Sequence, residues 1–431
     1  MGITERRWWW STRACNLPDD LSVASDQLFT PRVTAVLFTA ALVASFGQFS
    51  AVASLNDVAQ HFGHHVLGHS LKSVVGLSGS TLGLGLGTLR LASLVALPLA
   101  SLADRRGRTR VLQIFLFSGL VATVGAAASF SYWFFVLSFA FARPLLSAAS
   151  TLVQVVTVEL SSTALRMHRL VVMAAGSGIG AGLSAVLHGV IRGPDSFRWL
   201  FALAIVPAFI VTPLVRRIPE PAHRVHDTPL ARLGAVPRNM RTRLVVVAII
   251  AFTIGMITGP ANGFAFVYGE GILKISPHVV ATVVALSAVT GLGGLLLSRW
   301  LAHRVGRRWT VAIGVVASAV MASVAYSGGR MAFIGGYMIG IAAAGLLAPA
   351  ATAISTEIFS HSFRATAAGW VVVAGVVGAT TGLIVFGLIG DLSHVTGSTA
   401  LRLPALLTFV PLTPTLLLLR RLPESSRVEI S

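Results

Sequence analysis

Two arginines stand where a cation costs most. Arg90 and Arg143 each lie inside a long apolar run, about 11–12 residues from a helix end, which at 1.5 Å per helical residue is near the middle of a bilayer. A charge at that depth costs at least ~2.5 kcal/mol and is confined to a bundle interior or a wet cavity. None of the 15 Asp and Glu falls at mid-span, so the two guanidinium groups would leave a positive cavity. An anion brought in from outside, such as an organic acid, would supply the missing charge, with a carboxylate–arginine pair as its natural geometry. The competing reading is an arginine bonded to backbone carbonyls. Gln48 and Asn262 are candidates to line the same cavity, with an interhelical hydrogen bond as the competing reading for each; Asn262 comes just after Gly259-Pro260, where proline interrupts the helical hydrogen-bond ladder. The titratable residues nearest a helix interior are His188 and Glu270, both toward the outer ends of their runs.

A second set of residues gathers at the ends of the apolar runs. Asp104, Arg105, Gly107 and Arg108 close one run, Gly306 and Arg307 close another, and Glu159 precedes Arg166 as Glu357 precedes Arg364. Acid–base pairs at one membrane face would hold that face shut and would have to break for it to open. The competing reading is a set of solvated loop charges that anchor topology. Positive-inside statistics require Lys and Arg, not repeated glutamates.

The elements that position these residues follow from composition. The chain has 431 residues, 55% hydrophobic and only 11% charged, with a mean hydropathy of +0.80. Soluble proteins carry about 25% charged residues, so a soluble enzyme is excluded, and a disordered chain is excluded by the apolar content. Lone Cys15 rules out an intramolecular disulfide or a cysteine metal cluster. No Gly-x4-Gly-Lys-Ser/Thr phosphate loop and no His/Asp/Glu cluster within a span is present, so no cofactor, no metal and no enzymatic activity is expected. The first 32 residues hold no apolar run long enough for a cleaved leader. Trp8, Trp9 and Trp10 after Arg6-Arg7 read as an interfacial anchor.

A window of about 20 apolar residues gives twelve spans, near 33–54, 78–101, 110–128, 132–157, 168–190, 198–215, 244–267, 278–298, 309–326, 331–355, 366–389 and 403–419. Lipid admits only helices or closed barrels, and the runs do not alternate in polarity. With the N-terminus placed inside, 25 of the 33 Lys and Arg fall on the inner side and six on the outer. That asymmetry puts both termini in the cytoplasm and accounts for the +18 charge without nucleic acid.

The chain also repeats itself. Ala103–Arg108 recurs at Ala302–Arg307, the Glu159/Arg166 pair at Glu357/Arg364, and Arg216-Arg217-Ile218-Pro219-Glu220 at Arg420-Arg421-Leu422-Pro423-Glu424, with Pro207 matching Pro411. Two six-helix halves related by duplication are a common transporter plan, with the substrate held between them. The expected organisation is a tail over 1–32, one bundle over 33–215, a basic, proline-containing linker over 216–243, a second bundle over 244–419 and a tail over 420–431.

Ala100-Ser101-Leu102-Ala103-Asp104-Arg105-Arg106-Gly107-Arg108-Thr109 resembles the loop motif of the major facilitator superfamily, with Ala100 where the family has glycine. The copy at Arg299–Arg308 is weaker, with His303 in the place of an acid. The Glu-x6-Arg pairs and the two Pro-Glu turns are similar to those of bacterial sugar porters and metabolite–proton symporters. The resemblance covers essentially the whole chain. It implies an all-α membrane protein with twelve transmembrane helices in two pseudo-symmetric six-helix bundles. It further implies a secondary transporter of the plasma membrane, acting as a monomer on a small-molecule substrate by alternating access. Arg143 falls where many proton-coupled members have a fourth-helix arginine, whereas the first helix lacks the carboxylate that many symporters use, so proton coupling stays open. Gly176, Gly178, Gly180 and Gly182 are similar to the drug-antiporter stripe but lack its Gly-Pro; multidrug efflux is the alternative.

Overall fold

A computed structural model describes residues 29–64, 71–162, 165–191, 193, 195–220, 238–359, 364–393 and 397–421. The tryptophan anchor, most of both tails, linker residues 221–237 and the side chains of Glu357 and Arg364 lie outside the described residues.

The first span, α1 (Pro31–Ala53), continues into α2 (Leu55–Phe62). After α3 (Leu71–Val75), the second span is built from α4 (Gly79–Ala92) and α5 (Ala96–Arg106), joined by a 3-10 turn at Ser93–Val95. Then come α6 (Arg108–Gly125), α7 (Tyr132–Glu159), α8 (Arg166–Val190) and a sixth span made of α9 (Ser196–Ala202) and α10 (Ile205–Val215). The second bundle comprises α11 (Arg238–Gly263), α12 (Pro277–Val305), α13 (Arg307–Ala325), α14 (Arg330–Glu357), α15 (Arg364–Leu392) and α16 (Arg402–Phe409). Among the described residues 11 helices are long and apolar enough to cross a membrane, and no strand is present.

Several span ends differ from the sequence reading, two of them with a change of helix type. The twelfth span, expected as one helix over 403–419, leaves the α-helix at Phe409 and winds as a 3-10 helix over Val410–Arg421. Pro411 and Pro414 lack the N–H groups that would continue the α-helical ladder. The seventh, expected to reach 267, ends at Gly263 and is followed by a π-helical turn, Val267–Ile272, that carries Glu270.

The duplicated turns are alike in backbone as well as sequence. Gly107 and Gly306 adopt φ of +92° and +89°, a region that strains any residue with a Cβ, and each turns the chain sharply from one span into the next. These turns mark the basic face of the molecule; the other end is the opposite face.

The bundles meet along two helix pairs, α4 with α15 and α8 with α12. Both contacts lie toward the opposite face. Small residues permit the first: a Cβ on Gly79 would stand 2.6 Å from the Gly387 carbonyl oxygen, and one on Gly87 would stand 3.3 Å from Ile384. Where lipid replaces water as solvent, such close backbone approach supplies the packing that holds helices together. Gly387→Val would force a branched side chain into this contact, an overpacking that costs about 1–3 kcal/mol. The expected outcome is a lowered melting temperature in detergent and weaker cross-linking between α4 and α15; an unchanged melt would show that the glycines are not needed for the approach.

Candidate functional site: the central cavity and its two faces

A cavity of about 560 Å³ lies between the bundles, on the basic-face side of the α4–α15 contact. Its walls come from α11, α14 and α15 of the second bundle, and Arg90 enters it from the first. Arg90 precedes the 3-10 turn that breaks the second span. Arg143 stands one residue before Pro144 in α7. Its Nε is buried with no hydrogen-bond partner among the described residues. Neither guanidinium group has a carboxylate partner among the described residues.

Asn262 also lines the cavity. Its Nδ2 donates to the Thr258 carbonyl at 2.8 Å and its Oδ1 accepts from the Tyr337 hydroxyl at 3.3 Å. Gln48 makes the interhelical hydrogen bonds that are the competing reading for it. Ser147 Oγ donates to its Oε1 at 3.0 Å and its Nε2 donates to Ser150 Oγ at 3.2 Å. These serines satisfy the amide and tie α1 to α7, and Gln48 is not among the cavity's lining residues.

On the basic face the charges gather within the first bundle. Arg108 pairs with Asp104 at 2.9 Å and with Glu159. The backbone N–H groups of Arg108 and Thr109 donate to Glu220, which closes the N-terminus of α6. Arg105 is exposed, and Arg166 has a buried Nε with no partner among the described residues. The described ion pairs on this face therefore brace one bundle. They do not join the two, the arrangement expected with the cavity reached from the basic face.

The joining contacts lie on the opposite face, on residues that the sequence reading left aside or noted only as titratable. Asp391 at the end of α15 accepts from Gly79 N at 2.6 Å and from Ser80 N at 2.8 Å. A carboxylate on the open N–H groups of a helix start is favoured both by hydrogen bonding and by the helix dipole. Beside it, His188 of α8 is wedged between two carboxylates. Its Nε2 is 3.0 Å from Glu270 Oε1 of the second bundle, and its Nδ1 is 3.5 Å from Asp57 of α2. Asn56 Nδ2 donates to Glu270 Oε2 at 3.4 Å, and Ser196 Oγ donates to Asp57 at 2.6 Å. Burial pushes the Glu270 carboxyl above the ordinary carboxylate range, against the opposing pull of His188.

Comparison with known proteins matches this architecture. The sequence profile of the Major Facilitator Superfamily fits residues 37–272 and 244–430. None of the curated proteins matches the chain's sequence. Among solved structures, a bacterial homologue of the human lysosomal transporter Spinster, inward-facing and occupied, superposes with a TM-score of 0.72 at 14% identity, over 93% of this chain and 98% of that one. A D-xylose–proton symporter gives 0.67 at 18% identity, over 91% and 98%. The human organic anion transporter MFSD10 gives 0.62 at 15%, over 90% and 100%. At these identities the likeness is one of fold.

Two outcomes follow for the opposite face. Asp391→Asn removes the charge from two bonds that a neutral amide replaces poorly; hydrogen bonds to charged groups contribute about 1.5–3 kcal/mol each. Spin-label distances across α4 and α15 should lengthen and broaden, and unchanged distances would show that the carboxylate does not hold this face. Opening this face would also hydrate Glu270 and return its carboxyl to the ordinary range, so the closed face binds a proton that the open one releases. With His188 and Asp57 as the titratable neighbours, closure should be strongest below the ordinary carboxylate range and weaken as pH rises through the elevated value. Glu270→Gln should abolish that dependence in the same distance measurement.

Proposed function

The chain belongs to the major facilitator superfamily, and from that premise we propose that it moves a small organic anion across the plasma membrane by alternating access, with Arg90 and Arg143 as the substrate's counter-charges. Membership makes it a multi-pass membrane protein and a secondary transporter rather than an enzyme. The observation that carries the finer reading is the pair of arginines. Two cations at membrane depth, one of them lining the cavity between the bundles and neither paired with a described carboxylate, are stabilised when an anion enters. The walls around Arg90 are mostly apolar, with Thr258, Asn262 and Thr352 as the polar exceptions. A substrate with one acidic group and an apolar body matches that lining. The organic anion transporter among the fold relatives is in keeping with this chemistry.

The excess of Lys and Arg supports a cytoplasmic basic face, and the protein is read as a monomer. In this assignment the cavity faces the cytoplasm. Asp104, Arg105, Gly107, Arg108, Glu159 and Arg166, with Gly306, Arg307, Glu357 and Arg364 from the second bundle, are the proposed gate that forms when that side shuts. Protons enter the cycle at the other side, through Glu270 and His188, rather than at a mid-span carboxylate. Export of lipophilic cations, the alternative, suits the apolar walls but not the two cationic side chains.

Proteoliposome counterflow with a panel of organic anions, sugars and cationic dyes, with and without a pH gradient, tests this reading. At least one monoanion should exchange, and Arg90→Gln or Arg143→Gln should each reduce its transport roughly tenfold or more, the loss of one charge-assisted contact. Anion exchange that survives both substitutions, or dye movement without anion movement, would overturn it.

A further inference from the structure

Away from the central cavity, the lipid-facing side of each bundle carries a groove at the basic face. The first, about 950 Å³, runs between α6 and α10; the second, about 460 Å³, runs between α13 and the 3-10 end of the last span. They are the same groove built twice. Arg110, Gln113 and Phe117 of the first, shifted by the repeat offset of 199, become Trp309, Ala312 and Val316 of the second. Thr212, Pro213 and Arg216, shifted by the offset of 204, become Leu416, Leu417 and Arg420.

The two grooves share a chemical character. Each groove has an apolar floor open to lipid: Phe209 is 61% exposed in the first, and Trp309 and Leu417 are each 61% exposed in the second. Each also has two arginines at its rim, Arg110 with Arg216 and Arg308 with Arg420, of which Arg216 and Arg420 occupy equivalent positions of the repeat while Arg110 and Arg308 reach the rim from neighbouring positions. The first holds a further signal. Thr109 and Thr212, 5% and 2% exposed, flank the groove, and their buried hydroxyl oxygens have no hydrogen-bond partner among the described residues. A buried hydroxyl without a partner costs roughly 1–3 kcal/mol, so two along one groove point to an acceptor that is supplied when the groove is filled. Glu220 also lines it, but its carboxylate is taken up by the N–H groups of Arg108 and Thr109.

We propose that these two grooves are binding sites for an anionic glycerophospholipid of the leaflet at the basic face. The phosphodiester lies between the paired arginines, the Thr109 and Thr212 hydroxyls donate to head-group or ester oxygens in the first groove, and an acyl chain lies along the apolar floor. A bilayer supplies this occupant without a partner protein. Two cations over an apolar slot match one anionic amphiphile, and a free anion would leave the floor unfilled. The proposal is independent of which solute the central cavity carries.

Native mass spectrometry and thermal melts of the full-length protein, delipidated and then titrated with dioleoyl phosphatidylglycerol, test it. The wild type should retain two lipids and melt at a higher temperature with phosphatidylglycerol, and do neither with phosphatidylcholine. Arg110→Gln with Arg216→Gln should lose one of the two lipids, its site weakened roughly 30-fold by the loss of two cations at a membrane surface. Arg308→Gln with Arg420→Gln should lose the other. Arg106→Gln with Arg217→Gln, the same charge loss on the same face outside both grooves, should retain both. Thr212→Val should weaken the first site without lowering the melt of the lipid-free protein, a result that misfolding would not give. Equal loss in the Arg106/Arg217 control, equal retention of phosphatidylcholine, equal stabilisation by inorganic phosphate, or self-association that displaces the lipid would each overturn the proposal.

Discussion

The structure turns on where the two bundles touch. Asp391, at the last turn of α15, places its carboxylate on the first N–H groups of α4, and Gly79 and Gly387 let the two backbones come together beneath it. In lipid no hydrophobic effect pulls helices together, so polar contacts and close backbone packing must do so. Both are concentrated at one face here. Because this face is closed, the ends of α11, α14 and α15 at the other face stand apart from the first bundle, and a cavity with Arg90 in its wall remains between them.

The duplication gives the molecule its symmetry, but the charges depart from it. The two Gly turns match in backbone, and the two lipid-facing grooves occupy corresponding places in the repeat. The arginines at mid-depth occur only in the first bundle, and Glu270, the carboxylate that meets His188, comes only from the second. Duplicated features thus serve what both bundles must do alike, turning at the basic face and meeting lipid. Unduplicated features sit where the bundles face one another, which is where a transporter must distinguish substrate from solvent and one face from the other.

Much of this was legible in the sequence, for physical reasons. Apolar runs of bilayer length located the spans, since no other structure satisfies the backbone there, and Gly107 and Gly306 marked turns that only glycine makes without strain. The broken twelfth helix could have been anticipated from Pro411 and Pro414. Gln48 shows the limit: a polar residue at mid-span is equally well used by a neighbouring helix, and Ser147 and Ser150 claim it. Asp391 was invisible because its partners are backbone N–H groups more than 300 residues away, and a backbone amide leaves no mark in residue type. His188 and Glu270 could be named as titratable, but their pairing depends on the π-helical turn after α11, for which the sequence carries no recognised signal.

One helix links the two sites. α4 begins at the N–H groups held by Asp391 and carries Arg90 eleven residues after Gly79, roughly 16 Å along the axis. Immediately beyond Arg90 the α-helix gives way to the 3-10 turn at Ser93–Val95, and α5 runs on separately to the Asp104–Arg108 pair. α4 is thus one rigid rod whose start is held by the second bundle and whose end presents a charge to the cavity, with a change of helix type just beyond. A solute held between Arg90 and the second bundle would act on the same rod that Asp391 holds. Binding in the cavity and closure of the far face would then bias one element, the condition under which two separated sites can be coupled through a two-state structure.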